Sequence, residues 1–407
     1  MSVYAAYSHI ANNLGAPPFL PLNRDHVGDT PLVNLTGGVP ATDILPYESY
    51  SQAVGRVLGN PATAFSSVSY VSPFGIQELR EHVAHWRGVP VENVLVTNGA
   101  MNGIFLAAQT LIDPGDTVLV ESPTFPFALN IFRRAGARLE SIALHAGGID
   151  LDELEQRLRE GRRYKLFYTI PDFQNPAGTL TSAEHKGRLL ALADRYGFAV
   201  IADNPYRELW FDHEPDGFPD DYRHAERYSP LYEIGTFSKT LGPGWRVGWT
   251  IASSDAVRRM SVIRACVDGN STALGQYAIS SLLQEPYWFD RLLETERALY
   301  RGRAQALVSA LRTGFGDAVA FDEPRGGFFL WLGLPQGIRI DDPHVQDALA
   351  RQNVLVTRGD SFAPEQPGRD PAHRDYADHV RIGFSALPER DLREGADRLV
   401  AALIGLA

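Results

Sequence analysis

A single cysteine, Cys266, stands in a chain of 407 residues. One thiol excludes an intrachain disulfide framework and a cysteine-rich zinc site, and nothing else suggests a metal; the simplest place for Cys266 is as a small buried hydrophobe. Basic residues are in deficit: 38 Lys and Arg face 49 Asp and Glu, a formal net charge of −11, which makes a nucleic acid an unsuitable partner. No run approaches the roughly 20 apolar residues that cross a bilayer, and residues 1–10 hold neither a basic stretch nor a long apolar one. These lacks lead to an expectation of a cytoplasmic protein that enters no membrane. Repeats and low-complexity tracts are also missing. What remains is an ordinary globular composition, 44% hydrophobic and 21% charged, on a chain long enough for a large domain and a smaller one.

Residues 1–40 are rich in Pro, Gly and Asn and read as an extended arm ending in the turn Gly37-Gly38-Val39-Pro40. Residues 76–87 show helical spacing through Leu79, Val83 and Trp86. From there, short apolar runs alternate with helical text: strands are predicted at 94–96, 117–120, 166–170 and 199–202, and helices from Ala100 to Leu111 and over 151–159 and 182–196. Apolar strands separated by helices imply a mainly parallel sheet covered on both faces. After about residue 285 the text changes to a long Arg/Glu/Leu-rich helix over 289–311, a strand-like stretch at 327–334 and a Pro/Asp/Arg-rich loop at 363–373, which together suggest a smaller α+β domain.

The segment richest in chemistry is Gly235-Thr236-Phe237-Ser238-Lys239-Thr240-Leu241-Gly242-Pro243-Gly244-Trp245-Arg246. A lysine amine can condense with an aldehyde. Nearby hydroxyls and a guanidinium suit a phosphate, and glycines let backbone N–H groups approach it. The Walker A spacing is absent. Taken alone, the lysine fits a surface turn equally well. Two further segments, Pro171-Asp172-Phe173-Gln174-Asn175-Pro176-Ala177-Gly178 and Ala202-Asp203-Asn204-Pro205-Tyr206, each follow a predicted strand. Ligand groups in open parallel sheets gather at the carboxyl ends of strands. A carboxylate there can pair with a pyridine nitrogen and keep the ring an electron sink.

In the order and spacing of Asn175, Asp203, Tyr206, Lys239, Arg246 and Arg381, the chain resembles the fold-type I pyridoxal-5′-phosphate (PLP) enzymes of the class I/II aminotransferase group. The likeness runs from about Gly37 to the C-terminus. It is nearest the aminoadipate and aromatic aminotransferase branch, on the Gly37–Pro40 turn, the Phe173-Gln174-Asn175-Pro176 run and the segment from Tyr70 to Arg80. The resemblance implies an α/β PLP-transferase fold, with a large, mainly parallel sheet of the seven-stranded type and a smaller α+β domain. The divisions expected are an arm and part of the small domain at 1–45, the large domain at 46–285 and the small domain at 286–407.

The same resemblance implies roles. Lys239 would bind the cofactor as a Schiff base and move the substrate's proton. Asp203 would pair with the ring N–H, and Asn175 and Tyr206 with the ring oxygen. Phe125 would stack on the ring. The phosphate would lie against the helix start at Ala100 and Met101, with Thr236, Ser238 and Arg246. Arg381 would grip the substrate α-carboxylate through its planar fork, with Asn175 beside it and Gly38 leaving room. Tyr70 would reach the phosphate of a partner subunit, which implies a homodimer with shared sites. Asp172 and Arg358, the latter where relatives usually carry Pro, would bear on substrate choice; Arg24 fits a solvated residue of the arm better than a contact to a distal carboxylate.

The function implied is amino transfer from an α-amino acid to a 2-oxo acid by a ping-pong cycle. The alternative is PLP chemistry of natural-product pathways: elimination, replacement, cyclisation or oxidation at Cβ or Cγ, which the same parts can perform. A third class, transcription regulators that carry an aminotransferase-like domain, is disfavoured by the acidic charge and by the short, proline-rich stretch ahead of Gly37.

Overall fold

The computed structural model describes residues 31–364 and 375–406. The N-terminal arm before residue 31, with Arg24, and most of the proline-rich loop at 363–373 lie outside the described residues. In the centre is an eight-stranded sheet in the spatial order Val94–Thr97, Gly248–Ile251, Leu231–Thr236, Ala199–Asp203, Leu166–Thr169, Thr117–Ser122, Arg138–His145 and Gly148–Ile149. Seven of these match the expected type; the eighth is a two-residue ribbon antiparallel to the edge strand. The five strands from Leu231–Thr236 to Arg138–His145 run parallel to their neighbours. Gly248–Ile251 is antiparallel to both of its neighbours, so Val94–Thr97 runs in the same sense as the parallel group.

Alternate side chains of the central strands enter different cores. Val118, Tyr168 and Ile201 join one cluster with Ile104 and Phe132. Leu119, Phe167 and Val200 join another with Leu154 and Leu190. A period of two with both faces apolar is why these strands read as continuous hydrophobic runs. The flanking helices are bounded by local chemistry. Asp150 accepts from the N–H groups of Asp152 and Glu153 at the start of Leu151–Arg159. Ser182 accepts from His185 N–H at the start of Ala183–Tyr196, and Gly197 ends that helix at φ +73°.

The smaller unit is a three-stranded antiparallel sheet, Phe329–Gly333, His379–Gly383 and Thr357–Arg358. Its apolar side packs in one cluster with the helices Trp288–Phe315 and Glu389–Ile404. The strand Val33–Asn34 pairs in parallel with Val354–Leu355, which ties the early chain to this unit. Cys266 is exposed, contrary to expectation: it sits near the end of the helix Ser254–Val267, on the side turned to solvent while Met260 and Arg264 turn in.

Because the parallel strands share one direction, Thr97, Ser122, Thr169, Asp203 and Thr236 all end at one edge, and every chemically loaded loop leaves from there. One close approach sets this edge. At Gly248, opposite Thr97 and Thr236 in the ladder, a Cβ would stand 2.7 Å from Gly235 O and 2.9 Å from the Gly99 Cα. Both are backbone atoms and cannot swing aside. Gly248→Ala is therefore expected to destabilise the protein by about 1–3 kcal/mol, measured by urea unfolding; a change below about 0.5 kcal/mol would show that the edge is not so tightly fixed.

Candidate active site

A cavity of about 330 Å³ lies between the two units. Twelve of the thirteen residues expected at the cofactor and the α-carboxylate line it: Gly38, Ala100, Met101, Phe125, Asn175, Asp203, Tyr206, Thr236, Ser238, Lys239, Arg246 and Arg381. Tyr70 does not. It stands on the surface, 96% exposed. A larger groove of about 950 Å³, flanked by His145 and His379, contains none of the thirteen.

Lys239 closes a one-turn 3-10 segment, Phe237–Lys239, that begins with the Thr236 hydroxyl accepting from Ser238 N–H at 3.1 Å. Its Nζ donates to Gly38 O at 2.7 Å and lies 5.6 Å from the Tyr206 ring centre. Burial, reinforced by the cations Arg381 and Arg246 and opposed by Asp203, lowers its pKa to about 8. The amine is thus partly neutral near physiological pH, which a nucleophile or base requires.

Asp203 is the last residue of its strand and is 3% exposed. One oxygen accepts from the Tyr168 hydroxyl at 2.8 Å. The other, Oδ1, is buried with no hydrogen-bond partner among the described residues. Burial pushes this carboxyl up to about 6, with Tyr168 and Lys239 acting in the opposite direction. A buried carboxylate oxygen facing a cavity is costly unless a donor arrives, so this atom fits the N–H of a pyridinium.

At the other wall, Arg381 is 5% exposed and held from several sides. Nη1 donates to Asn175 Oδ1 at 2.8 Å, and Nη2 to Thr36 O at 3.1 Å and to the Thr357 hydroxyl at 3.3 Å. Its carbon lies 3.9 Å from the Phe329 ring centre and 5.0 Å from that of Phe362. Burial lowers it to about 10, still a full cation at neutral pH. Gly38 is required here: a Cβ would meet Phe329 Cζ at 2.7 Å.

At the far end, Arg246 adopts φ +52° and donates to Asn98 O at 3.0 Å. It lies against Gly99, where a Cβ would come within 3.0 Å of its guanidinium. Gly99, at φ +73°, precedes the helix Ala100–Leu111, which has no side-chain cap. Its first N–H groups therefore have no capping side chain to meet, and the helix dipole favours an anion. With the hydroxyls of Thr236 and Ser238, 2.9 Å apart, this end of the cavity fits a phosphate.

The loop bearing Asn175 is braced from behind. Glu121, fully enclosed and pushed by burial to about 7, accepts from Thr169, from Ile170 N–H and from Gln174, whose carbonyl oxygen in turn takes Ala177 N–H. Asp172, read from the sequence as bearing on substrate choice, faces away from the cavity. It receives Lys186 at 2.6 Å and Arg207 at 3.0 Å, and so links the Asn175 loop to the residue after Tyr206. Arg358 is a surface residue paired with Asp360. Sequence reasoning missed Tyr168, Phe329 and Thr357. Tyr168 had a visible signal, a phenol hydroxyl directly after the apolar pair Leu166 and Phe167 in a buried strand; the other two had none.

The raised pKa of Asp203 makes a stability prediction for the cofactor-free chain. A carboxyl at about 6 in the fold and 3.8 otherwise contributes most below pH 3.8, and that contribution is lost as the pH rises through 6. Relative to the parent, Asp203→Asn should therefore gain about 2–3 kcal/mol between pH 4 and pH 8, read from denaturant unfolding at both. A pH-independent difference would contradict the buried, donor-poor Oδ1.

Comparison with known proteins agrees with this geometry. The sequence profile for Aminotransferase class I and II matches residues 30–399. The chain is 32% identical to the 2-aminoadipate transaminase of Thermus thermophilus, over 92% of this chain and 91% of that one. It is 31% identical to aromatic-amino-acid aminotransferase 1 of Thermococcus litoralis, over 91% and 88%. The crystal structure of the α-aminoadipate aminotransferase LysN from Thermus thermophilus, complexed with N-(5′-phosphopyridoxyl)-L-leucine, superposes with a TM-score of 0.85 at 30% identity, covering 98% of this chain and 97% of that one. No helix among the described residues is long and apolar enough to cross a membrane. The chain belongs to the class I and II aminotransferase family and is a pyridoxal-phosphate-dependent aminotransferase of fold type I.

Proposed function

We propose that this cavity moves an amino group from an α-amino acid to a 2-oxo acid in two half-reactions, with the lining residues dividing the work. Bound there, pyridoxal phosphate supplies an aldehyde that takes up the amine and a protonated ring that draws electrons from the reacting carbon. Lys239 Nζ would hold the cofactor and, as a free amine, would take the proton from the substrate Cα; a pKa lowered to about 8 in the cofactor-free chain favours the neutral amine that both tasks need. Asp203 Oδ1 accepts the ring N–H. The Asn175 amide and the Tyr206 hydroxyl donate to the ring oxygen, and Phe125 covers one face of the ring. Arg246, Thr236, Ser238 and the N–H groups of Ala100 and Met101 hold the phosphate. Arg381 holds the α-carboxylate, and Gly38 keeps the approach open. The observation that carries this reading is the meeting, in one cavity, of a lysine whose pKa is lowered toward neutral pH, a buried carboxylate oxygen with no donor among the described residues, and an arginine clamped by aromatic rings.

Amino acids such as 2-aminoadipate and the aromatic ones, named for the relatives, are the first donors to try. The relatives' transaminase activities favour this reading over elimination or replacement at Cβ or Cγ. A donor panel, read by loss of the bound cofactor's absorbance with each product identified by mass, tests it; a 2-oxo acid must appear for every donor consumed. After borohydride reduction, mass spectrometry should place the cofactor on Lys239, and Lys239→Ala should show no adduct and no turnover.

Tyr70, with Phe65 and Val68 beside it at 79% and 70% exposed, forms an apolar surface that a second copy of the chain would cover, and Tyr70 would complete the partner's phosphate site. Mixing Lys239→Ala with Tyr70→Phe should then restore activity to roughly a quarter of the parent's, because half the dimers are hybrids with one intact site of two. No recovery above the sum of the two inactive parents would show that each site is built from one chain.

A further inference from the structure

We propose that Thr357 is a second ligand of the substrate α-carboxylate, its hydroxyl donating to the oxygen that Arg381 holds; this rests on reading Arg381 as the carboxylate grip. Thr357 and Arg381 are directly opposite partners in the antiparallel pair of Thr357–Arg358 with His379–Gly383. Cross-strand partners project from the same face, and both side chains line the cavity. The hydroxyl oxygen takes a hydrogen from Arg381 Nη2 at 3.3 Å, longer than the bonds of that guanidinium to Asn175 and Thr36.

A guanidinium has donors only. Thr357 can therefore do no more than accept from Arg381, and its own O–H must find another partner. Among the described residues no bond from this hydroxyl is formed, although the residue is only 6% exposed. A buried hydroxyl without an acceptor costs stability, and valine has nearly the same shape at no such cost. The neighbours Val354, Leu355 and Val356 are all apolar, so packing alone gives no reason for a hydroxyl at 357. A carboxylate seated on Arg381 supplies the missing acceptor. The guanidinium cannot tilt to compensate, since Phe329 and Phe362 lie against it and Asn175 and Thr36 fix its nitrogens. The substrate's two oxygens would then meet the planar fork and one hydroxyl, an arrangement that selects a carboxylate over a neutral group.

The test uses the holoenzyme and two ligands that differ only in the carboxylate: 2-methylalanine, which lacks a Cα hydrogen and does not turn over, and isopropylamine. Dissociation constants are read from the change in cofactor absorbance. Thr357→Val should weaken 2-methylalanine about tenfold, as expected for one hydrogen bond to a charged group, and leave isopropylamine within about twofold. With a productive donor, KM should rise while kcat changes little. Thr357→Ser, which restores the hydroxyl, should return 2-methylalanine to within about twofold of the parent. Equal binding of 2-methylalanine by the valine variant and the parent, or equal weakening of both ligands, overturns the proposal. Arg381→Ala separates the two levels. If it weakens both ligands alike, or neither, the carboxylate grip itself is misassigned. If it weakens 2-methylalanine alone and Thr357→Val does not, only the role of Thr357 falls.

Discussion

Three cations and one carboxylate, Lys239, Arg246, Arg381 and Asp203, are enclosed in a single small cavity, and the remainder of the structure is arranged around that fact. Charges removed from water are expensive unless neutralised or solvated by fixed groups. The chain responds in different ways at each position. Lys239 drops toward neutrality; Arg381 keeps its charge but is given oxygen acceptors and aromatic faces; Arg246 is set on backbone carbonyls beside a helix start. Asp203 is left half satisfied. The excess of positive charge is local, on a chain whose total is −11. On the function proposed, a phosphate at one end and a carboxylate at the other would complement it, and cofactor and substrate would complete the electrostatics of the cavity.

Holding such a set at fixed separations takes a rigid frame, and the frame is made of a second set of buried charges that never touch the cavity. Asp172 joins Lys186 and Arg207 across two loops. Glu121 gathers Thr169, Ile170 and Gln174 under Asn175. Breaking a buried pair by removing one partner typically costs about 3–5 kcal/mol, so these braces are stiff. They brace a loop in which Phe173 adopts a left-handed φ of +53°. The loops bearing Asn175 and Tyr206 are thus anchored by Asp172 and Arg207, which lie three residues and one residue along the chain from them.

Much of this was legible in the sequence, for a physical reason. Residues at the carboxyl ends of parallel strands are punctuated by Gly and Pro, so Asn175, Asp203 and Lys239 stood out from the apolar runs before them. The central strands were readable because both faces are buried. The strands that escaped notice break this rule. Arg138–His145 is a half-exposed edge with mixed residues, Leu231–Thr236 carries Glu233, which pairs with Arg223, and Gly248–Ile251 is only four residues long and opens on glycine. Asp172 was misread because nothing local shows which way a loop carboxylate turns; its partners lie 14 and 35 residues away. Phe329 and Thr357 were invisible for the same reason, since their importance comes from strand pairing with the region of Arg381. Tyr70 is outside the cavity of a single chain, so its proposed role belongs to an assembly.

The two units contribute to opposite ends of one cavity. The large sheet supplies Asp203, Lys239 and Arg246; the small sheet supplies Arg381, Thr357 and Phe329, and the turn at Gly38 runs between them. Among the described residues, the polar bonds that join the units at this cavity include Lys239 to Gly38 O and Arg381 to Asn175. An amino acid bound at both ends would add its own bonds to this junction, from its carboxylate to the small sheet and from its nitrogen to the large-sheet side. A ligand without the carboxylate engages one unit only. Discrimination for α-amino acids would then come from the junction as a whole, since the energy of the carboxylate contacts is realised only when the reacting carbon is also placed beside Lys239.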